Sequence, residues 1–316
     1  MNTNPHFWKE RKVLVTGANG FIAHHLLSSV AQRGAHITAL VPESQPPRRK
    51  NSGIIYRAWN VTDPLPRNCQ GHYDIVFHLA AQTDLLRADE EPQRTLDANA
   101  GGTLRLLEGL MGNPPGHFVY VSSFAVYGVP RTLPIDESHP TTPLDAYGAS
   151  KLAGEAITWA YSFRHRFPVA IARPFSVYGP WQNENTLVPS IIRQLLRGPE
   201  IVLRDTKPTR DFLYVKDATQ ALMRMAELNR SEVYNLGTGV SVSIRALVRH
   251  ISTLLGVKHV QVRSVGRRHT DILKSMADIG KASDLLDWGP QTPLLDGLHD
   301  TINFYRHSSE ERRVLI

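Results

Sequence analysis

The chain has 316 residues, 41% of them apolar and 21% charged, and a formal net charge of +7. That is ordinary globular composition, long enough for one large core and a smaller appended lobe. No apolar run reaches membrane-spanning length, the first ten residues lack a signal-peptide core, and the single cysteine, Cys69, excludes an internal disulfide. The fourteen histidines lack ligand spacing and are expected at the surface or at helix ends, with no metal site. The basic residues are dispersed apart from Arg48-Arg49-Lys50 and form no recognition module. Neither nucleic acid nor a membrane is an expected partner, and the expected location is cytoplasmic.

Along the chain, the β-branched run Arg11-Lys12-Val13-Leu14-Val15-Thr16 reads as a buried strand. It stops at Gly17-Ala18-Asn19-Gly20-Phe21-Ile22-Ala23, and His24-His25-Leu26-Leu27 continues with helical period. A glycine-rich turn between strand and helix lets the backbone approach a pyrophosphate, which then sits on the positive helix N-terminus. The third position of the turn is Ala23, small enough for helix and strand to pack closely. Further strand-like runs fall at residues 35–40, 54–59, 74–79, 118–122 and 169–173, with helical patterns clearest at 92–111 and 146–167.

This alternation predicts an α/β fold of Rossmann type, a doubly wound parallel sheet with helices on both faces. Ligands of such sheets bind beyond the carboxyl ends of the strands. Gly17, Gly20, residues 78–82, Ser122, Ser123 and residues 173–179 all fall there. After Gly179 the rhythm loosens. Residues 1–174 therefore read as an NAD(P)-binding domain that elements near 211–250 rejoin, and residues 175–316 mainly as a smaller C-terminal substrate-binding lobe.

Tyr147 and Lys151 lie four apart in the predicted helix at 146–167, so phenol and ammonium share a face. A neighbouring cation favours a phenolate, which makes tyrosine a usable acid–base group near neutral pH. Ser123, at the end of a strand, is placed to hold the oxygen whose proton moves.

Several motifs stand in order along the chain: Thr16-Gly17-Ala18-Asn19-Gly20-Phe21-Ile22, Val76-Phe77-His78-Leu79-Ala80-Ala81-Gln82, and Asn99 with Gly102-Thr103. They continue as Val121-Ser122-Ser123-Phe124-Ala125-Val126-Tyr127-Gly128, Tyr147 with Lys151, Arg173-Pro174-Phe175-Ser176-Val177-Tyr178-Gly179-Pro180, Arg210-Asp211-Phe212-Leu213-Tyr214-Val215 and Tyr234-Asn235-Leu236-Gly237-Thr238-Gly239. The ordered set resembles the extended short-chain dehydrogenase/reductases, specifically the NAD-dependent epimerase/dehydratase family that acts on nucleotide sugars. The resemblance implies that Tyr147 is the general acid/base, that Lys151 lowers its pKa and grips the nicotinamide ribose, and that Ser123 hydrogen-bonds the reacting oxygen. It places the cofactor against Gly17, Asn19, Gly20, Phe21, Ile22, Asn60, Val61, Leu79, Ala80, Ala81, Gln82, Asn99, Ser122 and Pro174, besides Tyr147 and Lys151. A nucleoside diphosphate sugar would meet Gln82, Ser123, Ser176, Val188, Arg210, Arg268 and Asp271. Arginine suits a diphosphate because its planar fork binds phosphate oxygens bidentately. The competing reading of Arg210 is an ion pair with Asp211 or Asp217.

Family members that eliminate water or carbon dioxide carry acidic side chains after the hydroxyl residue. Here those positions are Phe124 and Ala125, which move no proton. The resemblance then favours an epimerase, at C4, that passes through a keto-sugar. The alternatives are an NAD(P)H-dependent nucleotide-4-keto-sugar reductase and a non-catalytic dinucleotide-binding scaffold. NAD is the expected cofactor, with NADP open, because Val41 stands where NAD-binding relatives carry an aspartate and Arg48-Arg49-Lys50 follows. Ser176 departs from the asparagine of many epimerases. The helices at 92–111 and 146–167 resemble those that pair in dimeric relatives. Leu104, Leu107, Leu110, Ile157, Trp159 and Tyr161 either contribute to such a homodimer seam or face the sheet.

Overall fold

The first strand, β1 (Lys12–Thr16), sends Val13 and Val15 into one apolar layer and Leu14 into another, so the sheet it starts is covered on both faces. The computed structural model describes residues 6–47, 51–266, 270 and 272–314. After β1 come α1 (Phe21–Ala31), β2 (His36–Val41), β3 (Ile54–Ala58), β4 (Ile75–His78), α2 (Leu85–Glu90), α3 (Pro92–Leu96) and α4 (Gly102–Leu110). They are followed by β5 (His117–Val121), α5 (Ala146–His165), β6 (Val169–Pro174), β7 (Ser176–Tyr178), α6 (Leu187–Leu195), β8 (Glu200–Leu203) and β9 (Thr209–Tyr214). The chain ends with α7 (Val215–Leu228), β10 (Glu232–Leu236), β11 (Ser241–Ser243), α8 (Ile244–Leu255), β12 (Gln261–Ser264), α9 (Gly280–Leu286) and α10 (Leu294–Val314).

Seven strands form one sheet in the order β10-β6-β5-β4-β1-β2-β3, every neighbouring pair parallel. The order reverses between β1 and β4, the position at which a doubly wound sheet opens a crevice for ligands. On one face α1, α7 and α9 bury Leu26, Val30, Leu222, Met225 and Leu286 against Val13, Val15 and Phe77. On the other, Leu106, Leu107 and Leu110 of α4 pack with Val76, Phe118 and Ile171. Leu107 and Leu110 therefore face the sheet, whereas Leu104, Ile157, Trp159 and Tyr161 are half-buried. The stretch 92–111, read from sequence as one helix, is α3 and α4 joined by a π turn at Asp97–Gly101. A separate core gathers α6, α8, α10, β8 and β9 around Ile191, Phe212, Leu247 and Leu298. The chain returns from β9 through α7 to β10, the edge strand of the main sheet.

Helix α5 starts at Asp145, whose carboxylate accepts from the Gly148 amide at 2.8 Å. Its buried face is polar and small: Gly148, Ser150, Lys151, Gly154, Glu155, Thr158 and Ser162. A long helix usually buries an apolar stripe. This one leans on Tyr120 of β5, and a Cβ at Gly154 would stand 2.1 Å from the Tyr120 hydroxyl, so only glycine permits the approach. Among the described residues, no helix is long and apolar enough to cross a membrane, and no three His, Cys, Asp or Glu side chains could hold a metal ion.

Candidate active site

At the end of β1 the chain turns through Gly17 at φ +67°, where a Cβ would stand 2.7 Å from the main chain of Ala80. The Gly-rich turn is thereby pressed against the loop that follows β4. Helix α1 begins at Gly20 with no side-chain cap and no acid in its first turn, so its amides and positive end stay open to an anion. Ala23, at the third small position, is 1% exposed inside the sheet-facing core. Phe21 and Ile22 pack partly into the cores. A pocket lined by Asn19, Gly20, His24, Asn51, Tyr56 and Trp181 opens beside the turn. These residues fit the pyrophosphate and ribose of a dinucleotide.

The surrounding groups hold that loop rather than point from it. Asn99, buried in the π turn, accepts from the Gln82 amide at 2.7 Å and donates to the Gln82 carbonyl at 3.0 Å and to Ser150 at 2.8 Å. Gln82 spends its own side chain on Asp84 and on Thr95. His78 is buried between the hydroxyls of Thr16, at 2.7 Å, and Thr103, at 3.0 Å, and Thr16 accepts from the Ala80 amide. Burial, followed by the Lys151 charge, pulls His78 down to about 3, so this imidazole is neutral. Buried His78, His117 and His139 thus depart from the surface positions expected of the histidines; each ring meets a polar atom that the strand pattern alone does not show. Asn60 bridges the Glu43 amide and Asp63, and Val61 packs on Gly102. Val41 is buried at the end of β2, so no carboxylate stands at that position.

On the other side of the crevice, β5 ends in two serines with separate tasks. Ser122 donates to Glu155 at 2.5 Å, so its hydroxyl is committed inside the protein rather than to a cofactor. Ser123, 7% exposed, caps a short helical turn by accepting from the Ala125 amide at 3.2 Å, and its hydroxyl lies beside the Tyr147 phenol, close enough to favour its ionised form. Ser123 and Tyr147 are therefore brought together. Burial raises the Tyr147 phenol, the Ser123 hydroxyl opposes that shift, and Asp145 adds to it. Lys151 is 3% exposed, with its ammonium 4.8 Å from the centre of the Tyr120 ring. Desolvation pulls it down to about 7, against the pull of Glu155. The sequence led us to expect a phenol lowered by a fully charged lysine; burial of both groups brings the lysine down and leaves the phenol high. Phe124, in the position of the missing acid, stacks on Phe175 with ring centres 5.2 Å apart.

Ser176, an expected substrate contact, opens β7, and Pro174, an expected cofactor contact, closes β6, both at the crevice. Val188 is 2% exposed, its side chain in the core around α6, which leaves its main chain for a ligand. Arg210, on β9, donates to the Thr209 carbonyl at 2.9 Å. Asp211 accepts from the Thr238, Gly239 and Ala277 amides and the Thr238 hydroxyl, and Asp217 accepts from the Thr292 amide. Those carboxylates thus serve the backbone. Arg268, Asp271 and the run Arg48-Arg49-Lys50 lie outside the described residues.

Missing from the sequence reading is a buried polar chain behind the face of α5 that carries Tyr147 and Lys151. Glu155 takes two bonds from Arg173, at 2.9 and 2.6 Å; Arg173 donates to Tyr127 at 3.0 Å; Tyr127 donates to Asn235 at 2.7 Å. The available signal was the spacing 147, 151, 155, three residues on one helix face.

A seven-stranded doubly wound sheet with a glycine turn at its crevice and a Ser–Tyr–Lys set opposite defines an extended short-chain dehydrogenase/reductase. The chain belongs to the NAD dependent epimerase/dehydratase family, whose pattern matches residues 13–237. It is 28% identical to the UDP-glucose 4-epimerase of Mycolicibacterium smegmatis, over 95% of this chain and all of that one. It is 30% identical to the GDP-6-deoxy-D-mannose reductase of Pseudomonas aeruginosa, over 91% of this chain and 95% of that one. The UDP-glucuronic acid 4-epimerase of Bacillus cereus, solved with UDP-glucuronic acid and NAD, superimposes with a TM-score of 0.87 at 26% identity, covering 94% of this chain and 99% of that one.

Proposed function

We propose that the protein is a nucleotide-sugar 4-epimerase using NAD. The observation that carries this reading is the Ser123–Tyr147 contact with Lys151 one turn on, next to an aromatic stack where an eliminating enzyme needs acids. The Tyr147 phenolate takes the proton of the C4 hydroxyl while Ser123 holds that oxygen, and Lys151 in its charged form stabilises the phenolate. NAD, held against the turn at Gly17 and Gly20, would supply a hydride acceptor and donor at the same carbon, the keto-sugar turning between the two transfers. Tyr147 then gives its proton back. The open N-terminus of α1 supports binding of the pyrophosphate, and Arg210, Ser176 and the main chain at Val188 support a diphosphate sugar held by residues 175–316 as a substrate lobe. In this reading the protein copurifies with NAD and interconverts nucleotide sugars with no added cofactor; strict, stoichiometric consumption of NADPH would sink it.

That outcome belongs to the second reading, a 4-keto-sugar reductase. Val41 at the end of β2 and the similarity to a reductase favour it.

We also propose a homodimer. Phe163 of α5 is 91% exposed, beside exposed Ala160 and Ala156 one and two turns earlier, an apolar stripe suited to a second copy of α5. A monomer in sedimentation at micromolar concentration would count against it.

A further inference from the structure

The reading of Tyr147 and Lys151 as the acid–base pair leaves unexplained how a lysine keeps its charge when it is 3% exposed. Few groups face it. Tyr120 of β5 lies under the ammonium and donates its hydroxyl to the Lys151 carbonyl at 3.3 Å. His78 of β4, with its ring centre 5.7 Å from that of Tyr120, is neutral. On α5 itself Tyr147 stands one turn before and Glu155 one turn after. Glu155 is thus the nearby anion, and it is itself 3% exposed.

Glu155 does more than supply charge. Its carboxylate binds Ser122 at the end of β5 and the fork of Arg173 near the end of β6. Those strands lead directly into Ser123 and into Pro174 and Ser176. The three bonds therefore fix α5, which carries Tyr147 and Lys151, in register with the strand ends that carry the other groups of the crevice. Arg173 passes the tie on through Tyr127 to Asn235 of β10. The carboxylate is deeply buried, and the Ser122 hydroxyl and the Arg173 guanidinium occupy its oxygens.

We propose that Glu155 is a positioning residue for the reaction: it is the counter-charge that keeps Lys151 protonated inside the fold, and its clasp on Ser122 and Arg173 sets α5 against the strand ends. The proposal rests on the Tyr147–Lys151 reading and names the residue on which that pair depends.

The test follows Lys151 directly, by the ¹³Cε resonance of labelled lysine in the whole protein, assigned with Lys151→Met. In Glu155→Gln the amine is expected to lose its proton at a pH lower by about one unit, since the compensating anion is gone and Arg173 stays. The alkaline limb of kcat should move down by the same amount. At pH near 8 kcat should then fall roughly tenfold while KM stays within about twofold. Glu155→Asp, which keeps the charge on a shorter arm, should leave the Lys151 titration near that of the parent and recover part of kcat.

Glu155→Gln leaves Arg173 unpaired and it can fail to fold. The double variant Glu155→Gln with Arg173→Met leaves no guanidinium unpaired, and Lys151 should again titrate lower. If Lys151 titrates at or above its parent value in whichever of these variants folds, the proposal is overturned, because a merely loosened helix admits water and moves the lysine toward its ordinary range. A parent protein that turns over no nucleotide sugar would instead overturn the functional reading. The lysine titration still decides the role of Glu155 in that case.

Discussion

The two banks of the crevice are built from different materials. On the β1–β4 bank, contact is made by main chain and small or neutral groups: Gly17 against Ala80, Asn99 against Gln82, His78 between two threonines. On the β5–β6 bank, buried charges set the geometry, with Lys151, Glu155 and Arg173 all under a tenth exposed. A backbone cradle tolerates almost any dinucleotide pose that fits its shape, whereas buried charge responds to every proton that moves near it. The division suits an enzyme that must bind on one side and titrate on the other.

The strongest way to break this division is Tyr147→Phe. Removing the phenol takes the proposed proton carrier from the charged bank and leaves the cradle untouched. Turnover should fall by roughly a thousandfold or more. Retention of bound cofactor and the thermal midpoint should stay close to the parent, since a ring of nearly the same volume fills the space. Near-normal turnover in this variant would remove Tyr147 from the catalytic assignment.

The same division decides what could be read from sequence. The cradle was legible because small residues at fixed offsets between a strand and a helix have few other uses, and the structure places Gly17, Gly20 and Ala23 accordingly. Tyr147 and Lys151 were legible because one helical turn joins them. Glu155 is only one turn further, yet its partners are Arg173, 18 residues on, and Ser122, 33 residues back. They meet only because β5 and β6 are neighbours in the sheet. The partners of polar residues next to the crevice were hidden for a related reason. Gln82, Asn99 and Ser122 stand beside the crevice in sequence, but a backbone forced into tight turns has its own unpaired groups to satisfy, and these side chains serve them or the buried carboxylate. Asp211 and Asp217, the carboxylates of the competing reading of Arg210, accept from amides at the turn Gly237–Thr238–Gly239 and at Thr292, while Arg210 donates to the Thr209 carbonyl.

A smaller effect sharpens the comparison from the neutral bank, through His78. Its folded pKa of about 3 lies well below the ordinary 6.5, because burial comes first and the Lys151 charge second. Between those two values the unfolded chain binds a proton that the folded one refuses, so stability is complete above the higher value and is lost as pH falls toward the lower one. From about pH 7 to about pH 5 the His78 contribution to unfolding free energy should drop by about 2 kcal/mol. His25 and His117, also lowered by burial, act in the same direction. Asp211 and Glu137, whose carboxyls burial raises, act against it, since the folded chain takes up their protons first. Denaturant melts across this range measure the sum, and His78→Gln isolates one part. The amide cannot titrate, so the variant should start less stable near neutrality and lose less on acidification. A variant whose stability falls as steeply as the parent's would show that the loop between Thr16 and Ala80 is held by something other than a neutral imidazole.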